Sequence, residues 1–284
     1  MTDSSTAGRT VRFLGRPLAP ERLFAIAGPC VIESEEMTLE VAGRLKETGT
    51  ALGIEIVFKS SYRKDNRSDL GSFTGLEFER ALATLARVER EIGLPVLTDV
   101  HCRSECGPVA AAVRVLQVPA FLCRQTRLLQ EAARASAVVN VKKGQFLAPE
   151  DASRILEKLA AARPDGEFWL TERGTTFGYR DLVVDMRSIA ILRRLPCTVV
   201  YDVTHSLQKP GVGGDRSFAR PLARAAIAAG ADGLFLETHP DPDRALSDAT
   251  TQLPLAGVRD FLEEMAERKR FEARLREEAG ERGR

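Results

Sequence analysis

The chain has 284 residues, 44% hydrophobic and 29% charged, and 41 Lys and Arg against 40 Asp and Glu leave a net charge of +1. That is an ordinary soluble globular composition, long enough for one large domain or two small ones, with no general pull toward nucleic acid or an acidic membrane. Scattered cysteines at 30, 102, 106, 123 and 197, no apolar run of membrane-spanning length, and an opening MTDSSTAGRT without a charged-then-apolar leader predict a reduced, cytoplasmic protein.

Residues 1–22 read as an extension in which VRFLGRPLAPERL forms a short hairpin. LFAIAG (23–28) follows as the first strand, and proline in IAGPC stops it, so Cys30 stands on the turn beyond. SEEMTLEVAGRLKETGTALG predicts a helix with Ser34 as N-cap and Glu35 and Glu36 in the first turn, where the dipole favours negative charge. Further strands are predicted at IEIVFKS (54–60), LPVLTDV (94–100), VRVLQVPAF (113–121) and AVVNVKK (137–143). After APEDASRILEKLAAA, a helix with Pro149 near its start, come EFWLTERG (167–174) and CTVVYDVT (197–204). RPLARAAIAAG is a helix closed by Gly230, ADGLFLET (231–238) the last strand, and the end from about Asp260 a charged helix.

These apolar runs are continuous rather than alternating, as strands buried on both faces require. Eight of them separated by helices in some 250 residues predict an α/β fold, a (β/α)8 TIM barrel over 23–265, with 1–22 capping its floor and 266–284 a charged helical tail. A doubly wound sheet is the rival, but no GxGxxG follows the first strand.

Chemistry in a barrel sits where the strands end. Those ends carry Cys30; Lys59, with Lys64 and Arg67 in the next loop; Asp99 and His101; Gln117 and then Arg124; Asn140, Lys142, Lys143 and Gln145; Glu172 and Arg173; Asp202 and His205; and Glu237 and His239. Closure makes the seventh, eighth and first strands neighbours, so Cys30, His205 and Glu237 share one rim, with Asp248 in the following loop. A thiolate, an imidazole and two carboxylates suit a divalent Zn, Mn or Fe; the alternative is a buried cysteine among solvated rim groups. His239 stays outside this set. HCRSEC (101–106) matches no usual zinc spacing, and its Arg103 and Glu105 suggest the start of a solvated helix.

Lys59, Lys64, Arg67, Arg124, Lys142 and Arg173 are expected to ring the same mouth, a cup for phosphate or carboxylate. Surface salt bridges are the alternative, although Lys59 and Lys142 directly end apolar strands, where an unpaired charge is costly.

"AGPCVIES", "VFKSSYRKDNRSD", "TDVH", "QVPAFLCRQT", "VNVKKGQF", "RGTTFGY", "DVTHSLQ" and "ETHPDPDRALSDATTQLPL" resemble, in order, the 3-deoxy-D-manno-octulosonate 8-phosphate synthases. The resemblance implies condensation of phosphoenolpyruvate with arabinose 5-phosphate and water, releasing phosphate. It implies a divalent metal, since the metal-dependent branch has cysteine after the first strand and the metal-independent branch asparagine. Cys30, His205, Glu237 and Asp248 then resemble its ligands. Lys64, Lys142, Gln145 and Arg173 resemble the phosphoenolpyruvate contacts, with Lys59 beside them, and Asn66, Arg67 and Ser68 the pentose-phosphate loop. Asp99, His101 and Gln117 belong to the matched floor; Lys64, Lys142, Arg173, His205 and Asp99 form the expected catalytic set and Arg124 a further substrate contact. A homotetramer is implied, with PAFLCRQ (119–125) near a neighbour's pocket.

The chain departs from the family at KDNRS, which puts Asp65 where alanine is usual, and at Arg63, where aspartate is typical. SFTGLEFERA and SLQKPGVGGDRSFARPLA read as trimmed loops. These changes leave open a related enzyme with another acceptor sugar, as in the 3-deoxy-heptulosonate 7-phosphate synthases. A Schiff-base aldolase using Lys142 or Lys59, and a barrel that binds ligand without turnover, are the other readings.

Overall fold

The computed structural model describes residues 11–65 and 71–282. Each expected apolar run carries one strand of a parallel ring: β1 (Phe24–Gly28), β2 (Glu55–Lys59), β3 (Val96–Asp99), β4 (Val115–Val118), β5 (Val138–Lys142), β6 (Glu167–Glu172), β7 (Thr198–Asp202) and β8 (Gly233–His239). Neighbours in sequence pair throughout, and β8 pairs with both β7 and β1, which closes the barrel. Nearly every strand residue is buried, because helices cover the outer face and side chains fill the inside.

Strand pleat explains how these sequences position a site. Inward side chains recur every second residue. The interior cluster of Ile26, Val57, Leu97, Val115, Val138, Trp169, Val200 and Phe235 forms the lower layers. Two residues on, the same inward faces present Lys59, Asp99, Gln117, Asn140, Thr171, Asp202 and Glu237. A hydrophobic barrel thus changes, within one residue pair per strand, into a polar floor at its C-terminal mouth.

The helices are α1 (Glu35–Leu52), α2 (Phe78–Arg87), α3 (Arg103–Ala112), α4 (Thr126–Ala135), α5 (Ser153–Ala162), α6 (Arg187–Leu192), α7 (Ala219–Ala229) and α8 (Val258–Arg282). Ser34 caps α1 by accepting from the Met37 N–H at 3.2 Å, and Gly230 closes α7 at φ 110°. The expected charged end is continuous with the last barrel helix: α8 runs unbroken from Val258 to Arg282. No helix among the described residues is long and apolar enough to cross a membrane.

The expected hairpin pairs Arg12–Phe13 with Arg16–Pro17 and plugs the barrel floor. Phe13 stacks on Trp169 with ring centroids 5.9 Å apart, and the Glu167 carboxylate accepts from Leu14 N–H (2.9 Å), Gly15 N–H (2.7 Å) and Trp169 Nε1–H (2.8 Å). Glu167→Ala strands these donors. It is expected to cost roughly 2–4 kcal/mol and lower the melting temperature by about 5 °C or more. A calorimetric or dichroism melt within about 1 °C of the parent would show that the plug contributes little.

Candidate functional site

The polar floor opens into a cavity of about 320 Å³ at the C-terminal mouth of the barrel. Lys59, Lys64, Asp99, His101, Gln117, Lys142, Gln145, Arg173, Asp202 and His205 line it, so most of the expected substrate and catalytic groups converge. Arg124 does not join them within its own chain. It follows the short turn Ala120–Leu122 toward α4 and is exposed. Asn66, Arg67 and Ser68 lie outside the described residues.

The four expected ligands meet at one side of this mouth. Gly28 is needed first: a Cβ there would lie 2.0 Å from the Lys59 carbonyl oxygen, so only glycine lets β1 and β2 approach and turn. Cys30 is then fixed by its N–H donating to Gln252 Oε1 (3.2 Å) and its carbonyl accepting from Lys59 Nζ (2.9 Å). Its sulfur is 3.1 Å from Asp248 Oδ2, and ligand atoms of Cys30, Glu237 and Asp248 lie within 4.8 Å of one another. His205 lies beside this trio rather than within it, its Nε2 3.7 Å from Glu237 Oε1 and 3.9 Å from Asp248 Oδ2. Asp202 faces Nδ1 of that ring at 2.9 Å and orients it, which leaves Nε2 turned toward Glu237 and Asp248. Asp248 adopts φ +49°, an uncommon left-handed conformation for a non-glycine residue, in the loop that presents it to the cluster.

The donor set fits a divalent ion. Glu237 Oε2 is buried with no hydrogen-bond partner among the described residues, although its other oxygen is held by Lys59 Nζ at 2.7 Å. A buried carboxylate oxygen left without a partner, on a residue grouped with Cys30 and Asp248, would be satisfied by a cation. Burial would raise the Glu237 carboxyl, but Lys59, His205 and Lys64 together hold it down at about 2, so it is anionic at neutral pH. Burial and the Glu237 charge push the Cys30 thiol well up; a bound cation would reverse that.

The cation cup is partly committed to internal pairs. Lys142 lies over the Phe235 ring and pairs with Asp202; burial presses its pKa down to about 8, with Asp202 opposing. Arg173 donates Nη2–H to Gln208 Oε1 at 2.7 Å, while its buried Nη1 has no partner among the described residues. Lys143, by contrast, turns away into the wall, donating to the Gly144 (3.2 Å) and Leu147 (3.0 Å) carbonyls.

Beneath the cup runs a ladder the sequence reading did not anticipate. Thr171 donates to Asn140 Oδ1 (2.7 Å), Asn140 Nδ2 to Gln117 Oε1 (2.8 Å), and Gln117 Nε2 to Asp99, which also accepts from Ser61. Burial would raise the Asp99 carboxyl; Lys59, Lys64, His101 and the Ser61 bond lower it below the usual range. Strand order places the four ladder partners, Thr171, Asn140, Gln117 and Asp99, on adjacent strands, and only knowing that order would have revealed it.

His101 gathers with Asp65 and Glu105 rather than with Cys102 or Cys106. Glu105 caps α3, accepting from the His101 (2.8 Å) and Cys102 (3.1 Å) N–H groups, as a helix start requires. Arg63 lies 2.6 Å from Asp65 and 3.3 Å from Glu105 and already supplies their countercharge. His239 sits apart from the ligand cluster, its Nδ1 accepting from the Asp241 N–H at 3.0 Å.

A family model described as the DAHP synthetase I family matches residues 19–272. The chain belongs to that family. Relatives named 2-dehydro-3-deoxyphosphooctonate aldolase include a Methylococcus capsulatus protein, 50% identical over 93% of this chain and 95% of its own length. Others come from Cupriavidus taiwanensis (53% identical; 84% of this chain, 86% of the relative) and Nitrosococcus oceani (52%; 86% and 89%). The resemblance to octulosonate-phosphate synthases is borne out by these names within the DAHP synthetase I family.

Proposed function

We propose that the chain condenses phosphoenolpyruvate with arabinose 5-phosphate and water to give 3-deoxy-D-manno-octulosonate 8-phosphate and inorganic phosphate. A divalent ion, Zn, Mn or Fe, held by Cys30, His205, Glu237 and Asp248 takes part. The printed name of the relatives supports the condensation. What carries the reading at this site is Arg173, a cavity-lining guanidinium whose buried Nη1 has no hydrogen-bond partner among the described residues and would be satisfied by a small anion.

Charge balance supports the metal. Lys59, Lys64, Lys142 and Arg173 stand against Asp99, Asp202, Glu237 and Asp248, so the bare mouth is nearly neutral. Phosphoenolpyruvate brings a phosphate and a carboxylate, and a divalent ion among the four ligands restores the positive field it needs. When bound, such an ion polarises an oxygen ligand and stabilises negative charge developing there. The chain's own groups do the rest. Asp202 keeps the His205 ring oriented, Lys142 and Arg173 balance charge on the phosphoryl group as its C–O bond breaks, and Asp99 is held anionic and immobile by the ladder.

Asp65 does not argue for a different acceptor, because Arg63 neutralises it within the same loop. Pro119 to Leu122 line the chain's own cavity while Arg124 is exposed outside it, a placement that fits a homotetramer in which Arg124 approaches a neighbour's pocket. Free thiols at all five cysteines fit a reducing, cytoplasmic setting.

The decisive experiment incubates the protein with phosphoenolpyruvate and a panel of aldose phosphates, identifies the product, and repeats the assay after chelation. Arabinose 5-phosphate is expected to give the fastest phosphate release and chelation to abolish it. Best turnover with erythrose 4-phosphate would overturn the acceptor, and full activity after exhaustive chelation would remove the metal. A pH effect also follows from Lys142. Its pKa near 8 means that the ammonium is present below that pH and is lost as pH rises through it, so kcat/KM for phosphoenolpyruvate is expected to fall above about pH 8. A profile flat to pH 9.5 would contradict this.

A further inference from the structure

Gln208 stands between the two halves of the site. Its side-chain carbonyl accepts from Arg173 Nη2–H at 2.7 Å, and its amide nitrogen donates to Asp248 Oδ1 at 3.3 Å. The orientation is unique. A guanidinium only donates and a carboxylate only accepts, so a flipped amide would lose both bonds. Asp248 meanwhile directs its other oxygen, Oδ2, toward Cys30 and His205. One amide therefore joins a cation of the anion cup to a member of the ligand cluster.

The backbone around Gln208 makes this link stiff. Gln208–Lys209 pairs with Gly213–Gly214 in a two-stranded ribbon after β7. A Cβ on Gly214 would lie 2.2 Å from Thr251 Cγ2, so the ribbon packs directly on the loop that carries Asp248. Arg216, just beyond the ribbon, donates to the Ala249 carbonyl at 2.6 Å. On the other side the Gln208 carbonyl accepts from Leu182 N–H at 3.2 Å.

We infer that Gln208 is a positioning residue that couples anion binding at Arg173 to cation binding at Asp248. The inference rests on the proposed phosphoenolpyruvate and metal reading. Its sign follows from electrostatics. In the free protein the Arg173 charge polarises the amide, which places a positive N–H end against Asp248. An anion on Arg173 offsets that charge, relaxes the amide and leaves the carboxylate freer to hold a cation, so each ligand tightens the other by the same factor. Direct attraction between anion and cation adds a part that does not need Gln208.

The test titrates the full chain with Mn2+, reading free ion by electron paramagnetic resonance, with and without saturating phosphoenolpyruvate. The parent is expected to bind Mn2+ roughly tenfold tighter with phosphoenolpyruvate present, within the usual range of coupling between sites. Gln208→Leu should cut that ratio to about threefold or less while still binding both ligands. A merely structural role would weaken each ligand separately and leave the ratio intact. Gln208→Met, longer and unbranched, gives the same readout if the leucine variant unfolds. A variant ratio equal to the parent's, or a parent with no ratio, overturns the coupling. A parent that binds no Mn2+ or no phosphoenolpyruvate overturns the functional reading itself, and the coupling with it.

Discussion

Glu237→Gln is expected to lower kcat/KM on the order of 10³-fold and to lower the melting temperature at the same time. Both effects come from one carboxylate. It lies near the C-terminal end of β8, is fully buried, and holds Lys59 Nζ at 2.7 Å, while its other oxygen has no hydrogen-bond partner among the described residues. Removing its charge would take away a ligand of the proposed cation, and losing that electrostatic stabilisation would be worth several kcal/mol in the transition state. It also leaves the Lys59 ammonium, 1% exposed, without its countercharge, which typically costs 3–5 kcal/mol. The two effects separate in the double variant Lys59→Met with Glu237→Leu. An apolar pair of similar bulk should recover much of the stability without recovering turnover. Phosphate release, bound-metal content and a thermal melt read the three quantities. Turnover within tenfold of the parent in Glu237→Gln would show that this carboxylate holds nothing the reaction needs.

The eight strands were legible because burial on both faces writes itself as continuous apolar runs, and the pleat then fixes which polar residue follows each inward side chain. Val57 predicts Lys59, Leu97 predicts Asp99, and Phe235 predicts Glu237 by nothing more than a spacing of two. What each of those groups pairs with was not legible. Lys59 meets Glu237 across 178 residues, and Lys142 meets Asp202 across 60, distances over which only barrel closure decides the neighbour. Gln208 escaped for a different reason. It sits on a short ribbon rather than at a strand end, and neutral amides carry no charge pattern to mark them. Arg124 is the converse case: a cation after a strand end that a brief turn carries outward, past its own cavity. The unusual Arg63 and Asp65 looked like separate departures from the family, yet at 2.6 Å they are one compensated change.

Arg173→Lys keeps the charge of the anion cup and removes its geometry, and that distinction sets its expected effect. The guanidinium is a planar fork: Nη2 is spent on Gln208, and the buried Nη1 awaits an acceptor. Burial lowers its pKa from the ordinary value, but an arginine stays charged, so the fork is a permanent donor rather than a titrating one. A lysine ammonium can reach either Gln208 or the substrate anion but cannot hold both in the same fixed plane. Losing one charge-assisted hydrogen bond and loosening a second is worth roughly 3–4 kcal/mol, so kcat/KM for phosphoenolpyruvate should fall about 10²- to 10³-fold. The KM for arabinose 5-phosphate should move much less if, as proposed, Arg173 holds phosphoenolpyruvate. Steady-state kinetics with each substrate varied in turn tests this. A KM shift confined to the aldose, or a loss of less than threefold for phosphoenolpyruvate, would mean that Arg173 faces the acceptor and that the cup is occupied in the reverse direction.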